Sequence, residues 1–301
     1  MILIILFIEL LALLLMLCTN DLSNHSKGWV IYKGRISYCD GDGGLYTGLC
    51  RIGDNYYYFN ESGSNKGVLF RKGYKLIDGD PYYFTKRGKA AKEGWVSDNN
   101  GAKFYCKGDG QLKTGWMALQ DVAYYFYKPD DGKDFKIGEL AKDYKFSESI
   151  YIPESGCIDG EEGKALSYGI KVLDQEGWNL KAAYKYAGRL KYSGRYDRYD
   201  YLIHKCAIQG FENQTGNCLV WMGCFCTLAR LMKYDCQVVW GFIIHKGEEI
   251  PHSWTEIKES DGVYVYDPRK ANGKNLSGYH VMYGQRGTYN YVESKKTYLK
   301  W

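Results

Sequence analysis

The amino-acid sequence predicts a multidomain chain in which an N-terminal, all-β array of hairpin repeats, solenoid-like in its stacking, precedes a C-terminal α+β domain. Two observations predict it. A glycine followed by an apolar residue recurs about every 20 residues between Gly28 and about Gly138, interleaved with aromatic triplets, and a period of that length belongs to stacked small units. From Lys164 onward the apolar residues change to helical spacing, and from Gln237 to strand-like runs. With 301 residues, 45% hydrophobic and 25% charged, the chain is long enough for two ordinary domains, each with its own core.

Composition narrows the function before any motif does. The 40 basic and 35 acidic residues leave a net charge of +5 without a Lys/Arg block, which argues against nucleic acid as a partner. The run Met1 to Leu17 is apolar apart from Glu9 and reads as a signal peptide or a membrane anchor, residues 1–18, so export is expected and the location is the cell surface or cell wall. Ten cysteines in an exported chain raise the prospect of disulfides. Setting aside Cys18 and one nucleophile leaves an even set without regular spacing. Cys224 and Cys226 form a lone C-x-C in an apolar run, without the second pair that zinc requires, so they and Cys236 are expected as core thiols and no metal is expected.

The repeats are read directly. Glycine-apolar pairs fall at Gly28-Trp29, Gly48-Leu49, Gly67-Val68, Gly94-Trp95 and Gly115-Trp116, and the triplets at Tyr57-Tyr58-Phe59, Tyr82-Tyr83-Phe84, Phe104-Tyr105-Cys106 and Tyr124-Tyr125-Phe126. Turns such as Gly41-Asp42-Gly43 and Asn99-Asn100-Gly101 separate the runs, as hairpins require. A single hairpin is only marginally stable, so stacked aromatics from successive units must supply the buried face. Residues 28–140 resemble the cell-wall-binding repeats of Gram-positive surface proteins, the choline-binding and glucan-binding kind. That resemblance implies cell-wall polysaccharide or another glycan as a partner, with Trp95, Trp116, Tyr82 and Tyr124 as carbohydrate contacts. The alternative is that these rings only hold hairpins together. Where the choline-type repeat carries Trp before the Tyr pair, this chain has Tyr56, Pro81, Lys103 and Ala123, a departure from the complete choline cage.

Residues 141–162, polar and aperiodic around Pro153, are expected as a linker or lead-in strand. The following stretch to about Tyr192 fits two helices joined at Gly177. Thr215-Gly216-Asn217-Cys218 then opens an apolar helical run through Met232. Cys218 falls in its first turn, where the helix dipole and free N–H groups favour a thiolate. Gln237 to Ile244 reads as a strand, and a hairpin follows with His252 and Asp267 on its two arms. If Ser260 and Asp261 form the loop, Glu259 faces Gly262 and Asp267 falls opposite Trp254, with His252 diagonal to it on the same face. Diagonal neighbours are roughly 7–8 Å apart by backbone, within reach of a carboxylate–imidazole bond. A three-residue loop would turn the two side chains to opposite faces.

Gly216-Asn217-Cys218, Val238-Val239-Trp240-Gly241, His252-Ser253-Trp254 and Tyr266-Asp267-Pro268, in this order with the long helix between, resemble the bacterial transglutaminase-like domain over residues 163–301. One departure is Lys233, where many members carry glycine after the helix. The resemblance implies a papain-like α+β fold without cofactor or metal, with Cys218 as nucleophile, His252 as general base and acid, and Asp267 as its orienter. The expected function is a secreted cysteine hydrolase, of peptidase or amidase type, or an acyltransferase, acting on peptide or isopeptide amide bonds of a peptide or protein substrate. The alternative is a carbohydrate-binding adhesion protein with an inactive transglutaminase-like domain.

Overall fold

The computed structural model describes residues 18–194, 202–268, 276–285 and 288–301. The apolar run Met1 to Leu17, expected as a signal peptide or anchor, lies outside them, and no helix among the described residues is long and apolar enough to cross a membrane. Two compact units result: the described residues up to Thr114 with Tyr127–Leu140, and Gly115–Phe126 with Ala141–Trp301.

The first unit holds four antiparallel hairpins, β1 (Gly28–Tyr32) with β2 (Arg35–Cys39), β3 (Gly48–Ile52) with β4 (Asn55–Phe59), β5 (Gly73–Ile77) with β6 (Asp80–Phe84), and β7 (Gly94–Ser97) with β8 (Lys103–Cys106). The third repeat therefore opens at Gly73-Tyr74 and not at Gly67-Val68. Gly67 instead sits in the connecting turn, where an added Cβ would come within 2.6 Å of Leu45. Backbone bonds propagate the stack, because each segment leaving a hairpin returns to the hairpin before it. Leu69 N–H donates to Ile36 O, Ala90 to Tyr56 O, Leu112 to Pro81 O and Leu140 to Lys103 O, all at 2.8 Å. The triplets supply the buried face, with Phe59, Phe84, Phe104 and Cys106 inaccessible to solvent.

The fifth hairpin, β9 (Gly115–Leu119) with β10 (Val122–Phe126), belongs to the second unit. Residues 141–162, expected as a linker or lead-in strand, carry a short hairpin, β11 (Tyr144–Lys145) with β12 (Tyr151–Ile152), and bury Phe146, Ile150, Ile152 and Ile158. Helices α1 (Gly160–Glu176) and α2 (Leu180–Arg189) are broken at Gly177, φ +108°, and Asn179 caps α2 by accepting from Ala182 N–H at 2.9 Å. Beyond the short β13 (Lys191–Tyr192), α3 (Ile203–Asn213) and, after β14 (Thr215–Gly216), the fully buried α4 (Cys218–Leu231) follow. The chain then builds a sheet from β15 (Cys236–His245), β16 (Glu248–Glu259), β17 (Gly262–Tyr266), β18 (Asn290–Tyr291) and β19 (Thr297–Tyr298). Its order is β17-β16-β15-β18, with β19 also on β15. Every cysteine from Cys39 onward is a free thiol.

Candidate active site

The nucleophile candidate is placed by a helix start that has no room for a side chain at Gly216. Asn217 caps α4 by accepting from Val220 N–H at 3.3 Å. Gly216 lies so close that an added Cβ would stand 2.4 Å from Val220 Cβ. Cys218 is thereby the first residue of α4 and 4% exposed. At the far end Lys233 has φ +69°, the left-handed backbone that glycine adopts at no steric cost.

Histidine and aspartate come from the hairpin of β16 and β17. Glu259 pairs Gly262 and Thr255 pairs Tyr266, the register of a two-residue Ser260-Asp261 loop, so Asp267 is next in line opposite Trp254. His252 Nε2 and Asp267 Oδ2 are 2.7 Å apart, and both side chains are wholly buried. Asp267 is fixed further by its own N–H, which donates to Gly278 O at 2.9 Å, and by Tyr291, whose hydroxyl donates to the same Oδ2 at 3.0 Å. Burial, and then the Asp267 carboxylate, hold the Tyr291 phenol far above its ordinary range, so it remains a donor. With Nε2 engaged, Nδ1 is left buried without a hydrogen-bond partner of ordinary geometry among the described residues. Besides Asp267, the side chain acting on the ring is Cys218. Burial opposes a charged ring, but the Asp267 charge and hydrogen bond, helped by Cys218, outweigh it and raise His252 from 6.5 to about 9.

Glycine and tryptophan landmarks flank the pair for reasons of space. Gly241 pairs with His252 across β15 and β16, and a Cβ there would meet Trp254 Cη2 at 2.8 Å. The Trp254 indole donates to Tyr283 OH at 2.7 Å, and Tyr283 donates in turn to the buried Glu256. Glu256 also accepts from Lys296 Nζ at 3.1 Å and from Tyr298 OH at 2.9 Å.

Four residues are proposed as sugar contacts. Trp95 and Tyr82 lie in the first unit, Trp116 and Tyr124 in the second. Trp95 is 42% exposed and meets Tyr105 edge-on at 5.5 Å, whereas Tyr82 and Tyr124 are half-buried. Trp116 is corrected from contact to core: it is 3% exposed, its indole donates to Leu231 O at 3.1 Å, and Tyr125 and Phe146 cover it. Tyr291 carries no signal in the sequence, because a lone tyrosine 24 residues beyond Asp267 has no spacing that marks it.

Residues 168–268 match the model of the Transglutaminase-like superfamily core. Among curated proteins, Toxin A of Clostridium novyi is 28% identical over 122 residues, covering 36% of this chain and 5% of that protein. Among solved structures, CbpJ from Streptococcus pneumoniae TIGR4 is 24% identical with a TM-score of 0.34, covering 44% of this chain and 41% of that one. Choline binding protein F from Streptococcus pneumoniae is 23% identical with a TM-score of 0.32, covering 44% and 40%. The Cpl-1 endolysin complexed with a peptidoglycan analogue is 22% identical with a TM-score of 0.27, covering 34% and 29%. The chain thus spans about 5% of the length of Toxin A and less than half of each of these solved chains.

Proposed function

We propose that the chain is an exported cysteine hydrolase or acyltransferase of peptide or isopeptide amide bonds, retained at the cell wall by glycan binding of its hairpin repeats. One observation carries the enzymatic reading: a wholly buried imidazole bonded through Nε2 to Asp267, with Nδ1 not engaged among the described residues and Cys218 acting on the ring. A buried ionisable pair costs desolvation energy that packing alone does not repay, and such pairs are kept where a proton must be held at a set place. The repeats, with Trp95, Tyr82 and Tyr124 as candidate contacts, supply the glycan reading.

In this mechanism the Cys218 sulfur, its thiol proton carried on His252 Nδ1, attacks the amide carbonyl carbon, and the carbonyl π-electrons move to oxygen. The Cys218 backbone N–H, in the first turn of α4 where a helix has no intrahelical acceptor for it, stabilises that oxyanion. The His252 imidazolium, protonated at neutral pH by its raised pKa, gives its Nδ1 proton to the departing nitrogen as the C–N bond breaks. An acyl thioester and a free amine result. His252 then takes a proton from the incoming nucleophile while the thioester is cleaved, and Asp267 stabilises the imidazolium at both stages. Water as acceptor gives hydrolysis, and an exposed amine gives a new amide bond.

The test incubates the full chain with purified wall fragments and a labelled primary amine, and follows it by mass analysis beside Cys218→Ala. Peptide release or amine incorporation that Cys218→Ala abolishes is the expected result. Wild-type protein that gives neither, and that a thiol-reactive amide probe labels no more than Cys218→Ala, refutes the enzymatic reading.

A further inference from the structure

The N-terminal unit contains a cleft of about 350 Å³ between its third and fourth hairpins. One wall is the cross-strand pair Tyr74 and Tyr83. Both rings rest on Phe104, at centroid distances of 5.6 and 6.3 Å, and the Tyr83 hydroxyl is committed to Ser97 O at 2.6 Å. The other wall is the turn at Asp98. Asp98 Oδ1 accepts from Asn100 N–H at 2.9 Å and from Ala102 N–H at 3.0 Å, and Oδ2 pairs with Lys136. The carboxylate is therefore already spent. Lys136 Nζ also lies 5.9 Å from the Tyr74 ring centroid, so the cation position over that ring is occupied by the chain itself.

What the cleft has left to offer a ligand is cationic and amide in character. Lys72 lines it, exposed, with no ion-pair partner among the described residues, and Asn99 and Asn100 present exposed side-chain amides. A quaternary ammonium would have to displace Lys136 from Tyr74 and would meet Lys72, and the one carboxylate among the lining residues, Asp98, is already committed. We infer that this cleft is a binding site for an anionic saccharide: Tyr74 takes the C–H face of a sugar ring, the Asn99 and Asn100 amides take its hydroxyls, and Lys72 takes its carboxylate or phosphate. A few placed polar groups over an aromatic wall suit such a ligand. The inference rests on the glycan-binding reading of the array and goes beyond it. It assigns the ligand's charge, and it uses a surface that Trp95 and Tyr82 do not line.

The full chain is applied to an immobilised panel of uronate-containing, phosphorylated and neutral oligosaccharides, with choline chloride as competitor, beside Lys72→Glu and Asn99→Ala. Both substitutions fall on exposed side chains and leave the Asp98 turn bonds in place. Retention on uronate or phosphorylated sugars, insensitive to choline, reduced about tenfold or more by Lys72→Glu and less by Asn99→Ala, is the expected outcome, and the favoured class identifies the anion. Retention on neutral sugars alone, competition by choline, or acidic-sugar binding that Lys72→Glu leaves intact overturns the cleft assignment while glycan binding stands. Failure on every sugar overturns both.

Discussion

Asp267→Asn removes one charge from a wholly buried ion pair while keeping the shape of the side chain, and the structure sets what should follow. A rise from 6.5 to about 9 for His252 corresponds to about 3 kcal/mol of preference for the charged ring. Because the folded value is the higher one, that stabilisation is fully present below about pH 6.5 and is lost as pH rises through about 9. In the variant the carboxylate charge is gone, and burial, the largest influence and a downward one, is opposed by Cys218 and a neutral amide acceptor alone, so the ring should titrate near or below 6.5.

Imidazole nitrogen shifts followed by NMR against pH read this directly, and with five histidines in the chain a His252→Gln spectrum assigns the signal. Urea unfolding at pH 6 and pH 9.5 supplies the energy. Wild-type protein should lose about 3 kcal/mol more over that interval than Asp267→Asn does. Turnover of the variant at neutral pH should fall by a factor of about 10⁴, the size of the effect when an orienting carboxylate becomes an amide. The reasoning is refuted if wild-type His252 titrates near 6.5, or if its value near 9 survives in the variant.

Three further substitutions probe what holds the pair. Tyr291→Phe removes the second donor to Asp267 Oδ2 and should cost about 2 kcal/mol in urea unfolding; a positioning role also requires a displaced pH profile of kcat, which a packing defect alone would not produce. Gly241→Ala drives a methyl toward Trp254 Cη2 and should cost about 1–3 kcal/mol by thermal unfolding, with lower kcat because Trp254 is two residues from His252. Trp116→Phe deletes the indole bond to Leu231 O and should lower stability by about 1–2 kcal/mol, while retention on glycan stays at the wild-type level, as measured by binding to immobilised oligosaccharide.

The elements legible in the sequence are those whose constraint is local. The two-residue Ser260-Asp261 loop fixes the parity of the hairpin, so the proximity of His252 and Asp267 follows from counting. The break at Gly177 and the start of α4 at Asn217 are written in residues that adopt or cap those geometries. What the sequence concealed depends on distant partners. Helix α3 has Gly210 on its buried face, a poor helix former, yet a Cβ there would stand 2.4 Å from Cys224 Sγ on α4, so helix packing overrules propensity. The short strands of residues 141–162 hold only two residues each, too few for a period to show. Gly67 and Gly73 are both followed by apolar residues, and only the pairing of Tyr74 with Tyr83 decides which opens a strand. Nothing in the local sequence separates Trp116, which is buried, from Trp95, which is exposed.

The proposed chemistry needs three side chains from separate elements to meet, and the tightest contacts nearby act on the backbones that carry them. Gly216 lets the chain enter α4 against Val220, which sets Cys218. Gly241 admits the Trp254 indole, which ties β15 to β16 beside His252. The indole is anchored to Tyr283, and through it to Glu256, whose buried carboxylate is balanced by Lys296 and joined by Tyr298. The C-terminal residues thus reach the strand bearing His252 through a charge that would be costly to bury alone. Tyr291, on a two-residue strand paired to β15, reaches Asp267 from the same stretch. Tyr283, Tyr291, Lys296 and Tyr298 belong to the site's rigidity for that reason, although none of them lies in the motifs that identify it.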